Sequence, residues 1–335
     1  MRPLLHPSLV NGRFGDPAVY LETLFDRRAL LFDLGDISVL PSRKILRIEQ
    51  IFVSHAHIDH FYGFDLLLRL SAGRSSTLQL YGPSGFIDRV HHKLQAYHWN
   101  LVDEFEADLV FVVTEIGGND GTRKAQFRLK NAFAREEAQR HPPSERGIIH
   151  ADPLFEVSYA VLDHHMPCLG YAIQEVAHVN IWKNHLDARG LPVGPWLREL
   201  KEAVLAGWPD HAVIEVREPS SSDPGSNMRL GELRDVLTIT PGQKIAYVTD
   251  VADTPSNRKA IVELARGADV LFIEAAFAAA DTALSAERAH LTTRAAGAMA
   301  REAGVKRVEP FHFSSRYEGQ GETMIAEVMA AFAGD

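Results

Sequence analysis

The chain has 335 residues, 46% of them hydrophobic, and a formal net charge of −9 at pH 7. This composition predicts a sizeable core in one large α/β domain or two smaller ones, and the acidic balance argues against a general nucleic-acid binder. No apolar run approaches the roughly 18 residues of a membrane span. Residues 1–7 lack the apolar core of a signal peptide, and the single cysteine, Cys168, excludes an internal disulfide. We therefore expect a cytoplasmic protein with no membrane partner.

Two short apolar strands are the first predicted elements. Residues 29–32 form a buried strand that ends at Asp33, and residues 51–53 form a second one. A helix is predicted to begin near residue 61, where the apolar residues take helical spacing. Between the second strand and this helix lies Ser-His-Ala-His-Ile-Asp-His, residues 54–60. These polar side chains therefore lie on a turn at the end of a strand, where a rigid sheet can direct them to one point.

Three histidines and one aspartate within this turn suit a metal site. Imidazole nitrogen and carboxylate oxygen are both zinc ligands, so His55 and His57 can bind one ion while Asp59 and His60 bind a second. Two metals roughly 3.5–4 Å apart can hold a hydroxide and stabilise both oxygens of an in-line displacement at phosphorus. The alternative is a chance cluster of surface histidines, which the rarity of histidine disfavours.

The spacing H-x-H-x-D-H after an apolar strand resembles the signature motif of the metallo-β-lactamase superfamily. His57 stands where the hydrolases of that superfamily have histidine and its flavodiiron oxidoreductases have glutamate. The resemblance implies an α/β fold, the metallo-β-lactamase αββα sandwich, in which two mixed β-sheets are flanked by helices and a dinuclear site lies at one edge. It also implies that Asp33 hydrogen-bonds near the metal motif, whereas an ordinary turn aspartate is the alternative.

We expect a single hydrolase domain over residues 1–335, with insertions at about 117–150 and 174–240. The first insertion carries seven Lys and Arg against four Asp and Glu. This positive balance suits guidance of a phosphate backbone, while a solvated helix face with ordinary charge mixing is the alternative.

Residues 162–173 resemble one family within the superfamily, RNase Z, the zinc endonuclease that trims the 3′ end of precursor tRNA. That family has the form L-E-H-x-I-P-x-x-G-Y here, and alignment of its proline and Gly-Tyr pair makes His164, rather than His165, a metal ligand. Residues 244–250 form a strand that ends in Asp250, at the place of the family's bridging ligand. A carboxylate can bind two ions, one through each oxygen, whereas a strand-end turn is the alternative.

A glutamate and a histidine follow in the next pair of segments. Residues 269–277 and 289–293 resemble the RNase Z segment in which H-E-A-T-F is followed by a histidine, although two residues of that motif are replaced. A glutamate that orients and charges a histidine makes it a general acid. The resemblance therefore implies that Glu274 supports His290 in protonating the leaving alcohol, and a histidine that only begins the next helix is the alternative.

The C-terminal part of the chain supplies the last motif. Residues 292–303 predict an alanine-rich helix closed by Gly304. Beyond it, residues 312–317 read His-Phe-Ser-Ser-Arg-Tyr and nearly reproduce the closing H-F-S-x-R-Y of RNase Z, which implies that His312 is the last metal ligand. Arginine's forked donors suit a phosphate, and the residues placed to donate to phosphate oxygens are Ser314, Ser315 and Arg316.

Together these segments imply a dinuclear-zinc-dependent phosphodiester hydrolase, RNase Z-like, that acts on precursor tRNA as a tRNA 3′-processing endoribonuclease. The family's usual assembly implies a homodimer. Asp59 is also expected to help form the attacking hydroxide by taking a proton, and Mn²⁺ or Fe can replace the two Zn²⁺ because histidine and carboxylate accept all three. The expected ligands are His55, His57 and His164 for one ion, Asp59, His60 and His312 for the other, and Asp250 as the bridge.

Two other functions stay open at this point. Residues 174–240 lie where RNase Z carries its tRNA-binding arm, yet over residues 177–240 nine Asp and Glu outnumber seven Lys and Arg. Because an acidic arm is a poor phosphate clamp, this departure favours a phosphodiesterase that acts on small substrates such as cyclic nucleotides with the same metal site. A binding protein without turnover is the third hypothesis, which the complete ligand set disfavours.

Overall fold

The computed structural model describes residues 3–24, 27–104, 106–117, 121–142, 147–217 and 225–335. The chain divides into two compact units, one made of Met1–Gln174 and Gln243–Asp335 and the other of Glu175–Gly242. The second unit corresponds in sequence to the insertion expected at about 174–240. None of the helices in the described ranges is long and apolar enough to cross a membrane.

The elements are numbered here in chain order. The strands are β1 (Leu5–Leu9), β2 (Val19–Thr23), β3 (Ala29–Phe32), β4 (Ile48–Phe52), β5 (Ser76–Pro83), β6 (Leu109–Ile116), β7 (Thr122–Arg128), β8 (Arg135–His141), β9 (Ile148–Ala151), β10 (Phe155–Asp163), β11 (Pro167–Glu175), β12 (His178–Ile181), β13 (Val213–Val216), β14 (Ser226–Arg229), β15 (Leu237–Thr240), β16 (Lys244–Val248), β17 (Val270–Glu274) and β18 (Val308–Phe311). The α-helices are α1 (Ser42–Ile45), α2 (Ile58–Phe61), α3 (Phe64–Ser71), α4 (Phe86–Gln95), α5 (Lys183–Ala188), α6 (Trp196–Leu205), α7 (Pro255–Ala265), α8 (Thr282–Arg288), α9 (Thr293–Glu302) and α10 (Gly321–Ala333).

The first unit contains two mixed sheets. Strands β1 to β8 form the first sheet in sequential order, with parallel pairing from β3 to β6 and antiparallel pairing on either side. The second sheet has the order β18-β17-β16-β11-β10-β9, in which β16, β17 and β18 are parallel. The predicted strand at residues 29–32 is β3, and all four of its residues are buried, as expected for a strand covered on both faces.

The core of this unit lies in three layers of side chains. Between the sheets, the ring of Phe32 stacks on Tyr171 and Tyr247 at centroid distances of 6.0 and 5.3 Å, and such a pair contributes about 0.5–1.5 kcal/mol beyond its buried area. Helices α3 and α4 cover the outer face of the first sheet, and α7, α9 and α10 cover the outer face of the second. The predicted αββα sandwich is therefore confirmed.

The predicted C-terminal helix is α9. Its N-cap is Thr292, whose hydroxyl accepts a hydrogen bond from the amide of Ala295 at 3.2 Å. It ends before Gly304, which has a φ of 63°, a conformation that glycine adopts without steric cost. Both the start and the stop predicted for this helix are confirmed.

The described residues of the insertion at 117–150 lie mainly in strands β7, β8 and β9, so the helix face that one interpretation of this insertion required is wrong. Strands β7 and β8 extend the first sheet, and β9 lies at the edge of the second. Three of its arginines form ion pairs with acidic residues, which favours charge mixing over guidance of a phosphate backbone: Arg123 with Glu115, Arg128 with Asp108 and Arg135 with Asp88. Residues 118–120 and 143–146 of this insertion lie outside the described ranges.

The second unit has a core of its own. Strand β12 pairs with β15 and β13 pairs with β14, both antiparallel. Trp196 is only 2% exposed among the apolar side chains of this unit, and its indole N–H donates to the carbonyl of Pro192 at 2.9 Å. The chain leaves the second sheet at the end of β11 and returns to it in β16, which is the antiparallel neighbour of β11. The unit is therefore inserted in the place of a hairpin loop.

Candidate metal centre

The predicted ligands lie just beyond strand ends of the first unit. Residues 54–60 follow β4, and Asp33 follows its parallel neighbour β3. His164 follows β10, Asp250 lies two residues beyond β16, and His312 follows β18. Because β16, β17 and β18 are parallel, their carboxyl ends meet at the same edge of the second sheet. This explains why residues far apart in the sequence converge.

Asp250 lies at the centre of the cluster. Its Oδ2 is 3.6 Å from Nε2 of His55, 3.4 Å from Nε2 of His60 and 3.6 Å from Nε2 of His164. Its Oδ1 is 3.1 Å from Nδ1 of His312. The carboxylate thus lies beside imidazoles from both groups of predicted ligands, the position expected of a bridging ligand.

The first group of donor atoms comes from His55, His57, His164 and Asp250, all within 4.8 Å of one another. Nε2 of His55 is 2.8 Å from Nδ1 of His57. Burial, together with the nearby His60, lowers the pKa of His55 to about 2. A neutral imidazole is the form that binds a metal, so this histidine needs to lose no proton on binding.

The second group comes from Asp59, His60 and His312. Oδ2 of Asp59 is 3.4 Å from Nε2 of His60 and 3.5 Å from Nε2 of His312. Within the described ranges, the buried atoms His60 Nε2 and His312 Nδ1 have no hydrogen-bond partner. Leaving such atoms unpaired is costly, and a bound cation would satisfy both. The donor set therefore fits a metal, and all seven predicted ligands come together.

Asp33 contacts two residues of the metal motif, Ser54 and His60. It is fully buried, and its carboxylate accepts hydrogen bonds from the amide and hydroxyl of Ser54 at 2.6 and 2.8 Å. It also contacts Nδ1 of His60 at 2.8 Å and accepts a hydrogen bond from the Tyr247 hydroxyl at 2.6 Å. A carboxylate behind a ligating histidine fixes its tautomer and its ring orientation. The predicted contact of Asp33 with the motif is confirmed.

We expect Asp33→Asn to lower the free energy of unfolding by about 1–3 kcal/mol, because an amide nitrogen cannot accept the bonds that a carboxylate oxygen accepts. The same change should weaken metal binding by about 10–100-fold, the usual effect of removing a partner of a ligating histidine. Urea unfolding with chelator present and metal competition would measure the two effects. Asp36→Asn is the matched control. The Asp36 side chain accepts a hydrogen bond from the amide of Ser38, and the amide oxygen of an asparagine can accept the same bond. Equal behaviour of the two variants would contradict the expectation.

Three residues of the cluster have left-handed backbones. The φ angles are 53° at Asp33, 40° at Asp250 and 58° at His312. Such a conformation costs a non-glycine residue of order 1–3 kcal/mol and persists where the surrounding structure holds it. Since each of these residues lies within two residues of a strand end, the rigid sheet edge fixes the direction of its side chain.

Gly35 packs against the backbone of the metal motif. A Cβ added there would lie 2.6 Å from the carbonyl oxygen of Asp59 and 2.8 Å from that of Pro17. We expect Gly35→Ala to displace Asp59, lower the free energy of unfolding by about 1–3 kcal/mol and weaken metal binding. At Gly73 an added Cβ meets nothing within 4 Å, so Gly73→Ala is the control. Urea unfolding and metal titration of both variants would show the difference, and an unaffected Gly35→Ala would refute the close approach.

His290 and Glu274 form the predicted pair. Nδ1 of His290 is 3.2 and 3.1 Å from the two carboxylate oxygens of the fully buried Glu274. Glu274 also accepts a hydrogen bond from the amide of Val251, the residue after Asp250, at 2.7 Å. Burial lowers the pKa of His290, but the Glu274 carboxylate outweighs it and raises the pKa to about 9. Cations bound nearby would oppose this rise.

A cavity of about 460 Å³ opens beside the cluster. Asp59, His290 and His312 line it together with the predicted phosphate-binding residues 314–316. Ser314 is the N-cap of a 3₁₀ turn, Ser315–Tyr317. Its hydroxyl accepts a hydrogen bond from the amide of Arg316 at 3.4 Å. The exposed guanidinium of Arg316 forms no ion pair with a described residue. The structure thus brings the predicted phosphate-binding residues to the metal ligands.

Sequence reasoning missed several residues around the site. Ser54 and Tyr247 bind Asp33, residues 14–17 line the cavity, and so does Arg288 at the end of α8. Two signals were available: Ser54 lies in the motif at residues 54–60, near which Asp33 was expected to hydrogen-bond, and the alternation along β16 places Tyr247 on the face between the sheets. Residues 14–17 and Arg288 belong to none of the quoted motifs, so nothing in the sequence pointed to them.

Comparisons with known proteins agree with this fold. A family model for the β-lactamase superfamily domain matches residues 233–313. A metallo-β-lactamase fold protein from Bacillus subtilis has a TM-score of 0.53 and 16% identity, covering 97% of this chain and 92% of its own. The short form of human tRNase Z has a TM-score of 0.51 and 18% identity, covering 94% and 92%. The fold and the histidine–aspartate cluster define a metal-dependent hydrolase of the metallo-β-lactamase superfamily.

The family within this class follows from sequence identity. The chain is 30% identical over 307 residues to the ribonuclease Z of Deinococcus radiodurans, which covers 90% of this chain and 88% of that protein. It is also 30% identical over 324 residues to the ribonuclease Z of Geobacillus kaustophilus, covering 94% and 88%. The chain belongs to the ribonuclease Z family.

Proposed function

We propose that this protein is a metal-dependent endoribonuclease that processes the 3′ end of precursor tRNA. The observation that carries the proposal is the complete cluster of seven ligand residues, with the His290–Glu274 pair beside it, in a chain of the ribonuclease Z family. The family relationship does not favour the alternative, a phosphodiesterase for small diesters.

Two divalent cations fit the donor set, and Zn²⁺ is the one we propose. His55, His57 and His164 would hold one ion, Asp59, His60 and His312 would hold the other, and Asp250, which lies beside ligands of both groups, would contribute to both. Bound there, the cations would activate a water molecule and withdraw charge from the phosphate. Histidine and carboxylate also accept Mn²⁺ and Fe, so metal analysis of the purified protein tests both the identity and the number of ions.

The protein's own residues would perform the remaining steps. Ser314, Ser315 and Arg316 donate to the phosphate oxygens and hold the scissile group in the cavity. Asp59, which also lines the cavity, accepts a proton from the attacking water. His290 keeps its Nδ1–H on Glu274 and donates its Nε2 proton to the leaving oxygen, as a general acid.

Contact with the rest of the tRNA is assigned to the second unit. Its acidic balance does not suit a charge clamp, but its exposed Trp182 and Trp208, 48% and 45% exposed, can stack on bases. Stacking on an aromatic side chain is worth about 1–3 kcal/mol per base and needs no positive charge. The proposal keeps the homodimer and the cytoplasmic location predicted from the sequence, and sedimentation of the purified protein tests the first of these.

Incubation of the pure protein with a precursor tRNA, beside a cyclic nucleotide, tests the function. We expect cleavage directly after the discriminator base, loss of cleavage on chelation, and its return when Zn²⁺ is restored. An intact precursor together with efficient hydrolysis of the cyclic nucleotide would overturn the tRNA assignment and leave the metal chemistry standing.

A further inference from the structure

Arg288 lines the same cavity as the predicted catalytic residues, although no motif contains it. It is the last residue of α8, and Leu284, one turn earlier on the same face, also lines the cavity. Its side chain is 65% exposed, and across the described ranges its one acidic partner is Glu287, 4.0 Å away and 71% exposed. A pair this exposed contributes little, so the guanidinium is available to an anion.

The backbone that carries Arg288 is fixed to the site on its C-terminal side. The carbonyl of Ala289 accepts a hydrogen bond from Nδ1 of the ligand His164 at 2.8 Å. The amide of His290 donates to the carbonyl of Ser285 at 3.0 Å, and the hydroxyl of Ser285 donates to the carbonyl of His290 at 2.6 Å. The backbone at Arg288 is therefore held beside the predicted metal ligand His164 and the proposed acid His290, whereas the Arg288 side chain is exposed.

Two guanidinium groups, those of Arg288 and Arg316, line one cavity. Arg316 and the ligand cluster already account for the scissile phosphate in the proposed mechanism. Arg288 adds a second guanidinium, whose fork of donors suits a phosphate. The carboxylate of Asp16 lines the cavity as well and repels phosphate from its own part of the wall. A second phosphate in this cavity is thus attracted to α8.

We propose that Arg288 binds the phosphate next to the scissile one, so that the site selects polynucleotide chains over substrates with a single phosphate. This inference rests on the proposed function for the place of the scissile phosphate. An arginine in the last turn of a helix also stabilises the helix through its dipole, and the test has to separate this structural role from phosphate binding.

The test compares Arg288→Ala with Arg294→Ala, an exposed arginine of α9 outside the cavity. The substrates are a short precursor RNA and bis-p-nitrophenyl phosphate, which carries one phosphate. We expect kcat/KM for the RNA to fall about ten- to hundredfold in Arg288→Ala, mainly through KM, and at least fivefold more than for the small diester. Arg294→Ala should match the wild type, and Arg288→Lys should recover part of the loss.

Neutralising single RNA linkages as methylphosphonates gives a second readout. One linkage beside the scissile phosphate should lower wild-type kcat/KM about tenfold and have no further effect in Arg288→Ala, because both changes remove the same contact. Equal penalties in the two proteins, or equal losses on both substrates, would overturn the inference.

The inference and the proposed function fail separately. A wild-type protein that leaves every RNA intact refutes the proposed function. Inhibition of bis-p-nitrophenyl phosphate hydrolysis by a short RNA then tests Arg288, with an inhibition constant about tenfold higher in Arg288→Ala expected. An unchanged constant would overturn the role of Arg288.

Discussion

Asp250→Ala is expected to lose bound metal and to lower kcat on the order of a thousandfold or more, on RNA and on small diesters alike. Four imidazoles lie within 3.1–3.6 Å of its two oxygens, and no other residue of the cluster contacts both groups of ligands to this extent. Its removal takes the negative charge from the centre and leaves the histidines facing one another. Both substrates depend on the same cations, so the loss should not depend on the leaving group.

Metal content and activity must be measured on the same samples of this variant. Asp253→Asn is the control, since Asp253 lies three residues further on and forms an exposed ion pair with Arg258 at 3.0 Å. The control should retain metal and activity. An Asp250→Ala protein that holds two ions and turns over normally would show that Asp250 is not the bridge.

His290→Ala is expected to lower kcat for RNA by about 10²–10⁴-fold, the contribution of a positioned general acid, while the metals stay bound. Hydrolysis of bis-p-nitrophenyl phosphate should fall much less, because p-nitrophenolate leaves without needing a proton. In Glu274→Gln, kcat for RNA should also fall more than kcat for bis-p-nitrophenyl phosphate, but by a smaller factor than in His290→Ala. The histidine remains in this variant but loses the negative charge that orients it.

This leaving-group test also decides between two roles of His290. Asp250, His290 and His312 form a third group that could hold a metal. If His290 is a ligand, His290→Ala loses metal and both substrates suffer equally, which would be incompatible with the acid role. His98→Ala, an exposed histidine after α4, serves as the control for loss of a histidine.

The sequence predicted which residues the fold brings together at this site because its signal is local. Residues 54–60 carry four donors at spacings that follow from one turn at a strand end, and Asp250 and His312 each follow a short apolar strand. Strand ends of parallel neighbours must meet at one sheet edge, so the fold class and the convergence of these residues follow together.

The sequence could not predict contacts that depend on how distant segments pack. Tyr247 reaches Asp33 across the space between the sheets, a separation of 214 residues along the chain. Arg288 is near the cavity only because α8 ends against His164. The helical interpretation of residues 117–150 failed for a related reason: mixed charge is compatible with a helix face or an edge strand, and the pairing of β7 with β6 decided between them.

The position of the second unit between β11 and β16 bears on how this family could diversify. The free-energy cost of closing a loop rises by only about 0.6 kcal/mol for each doubling of its length, so the two paired strands tolerate almost any cassette between them. The second unit could therefore change in length or charge without a change in the pairing of these two strands. The hydrolytic chemistry, built on other strand ends, would be inherited unchanged.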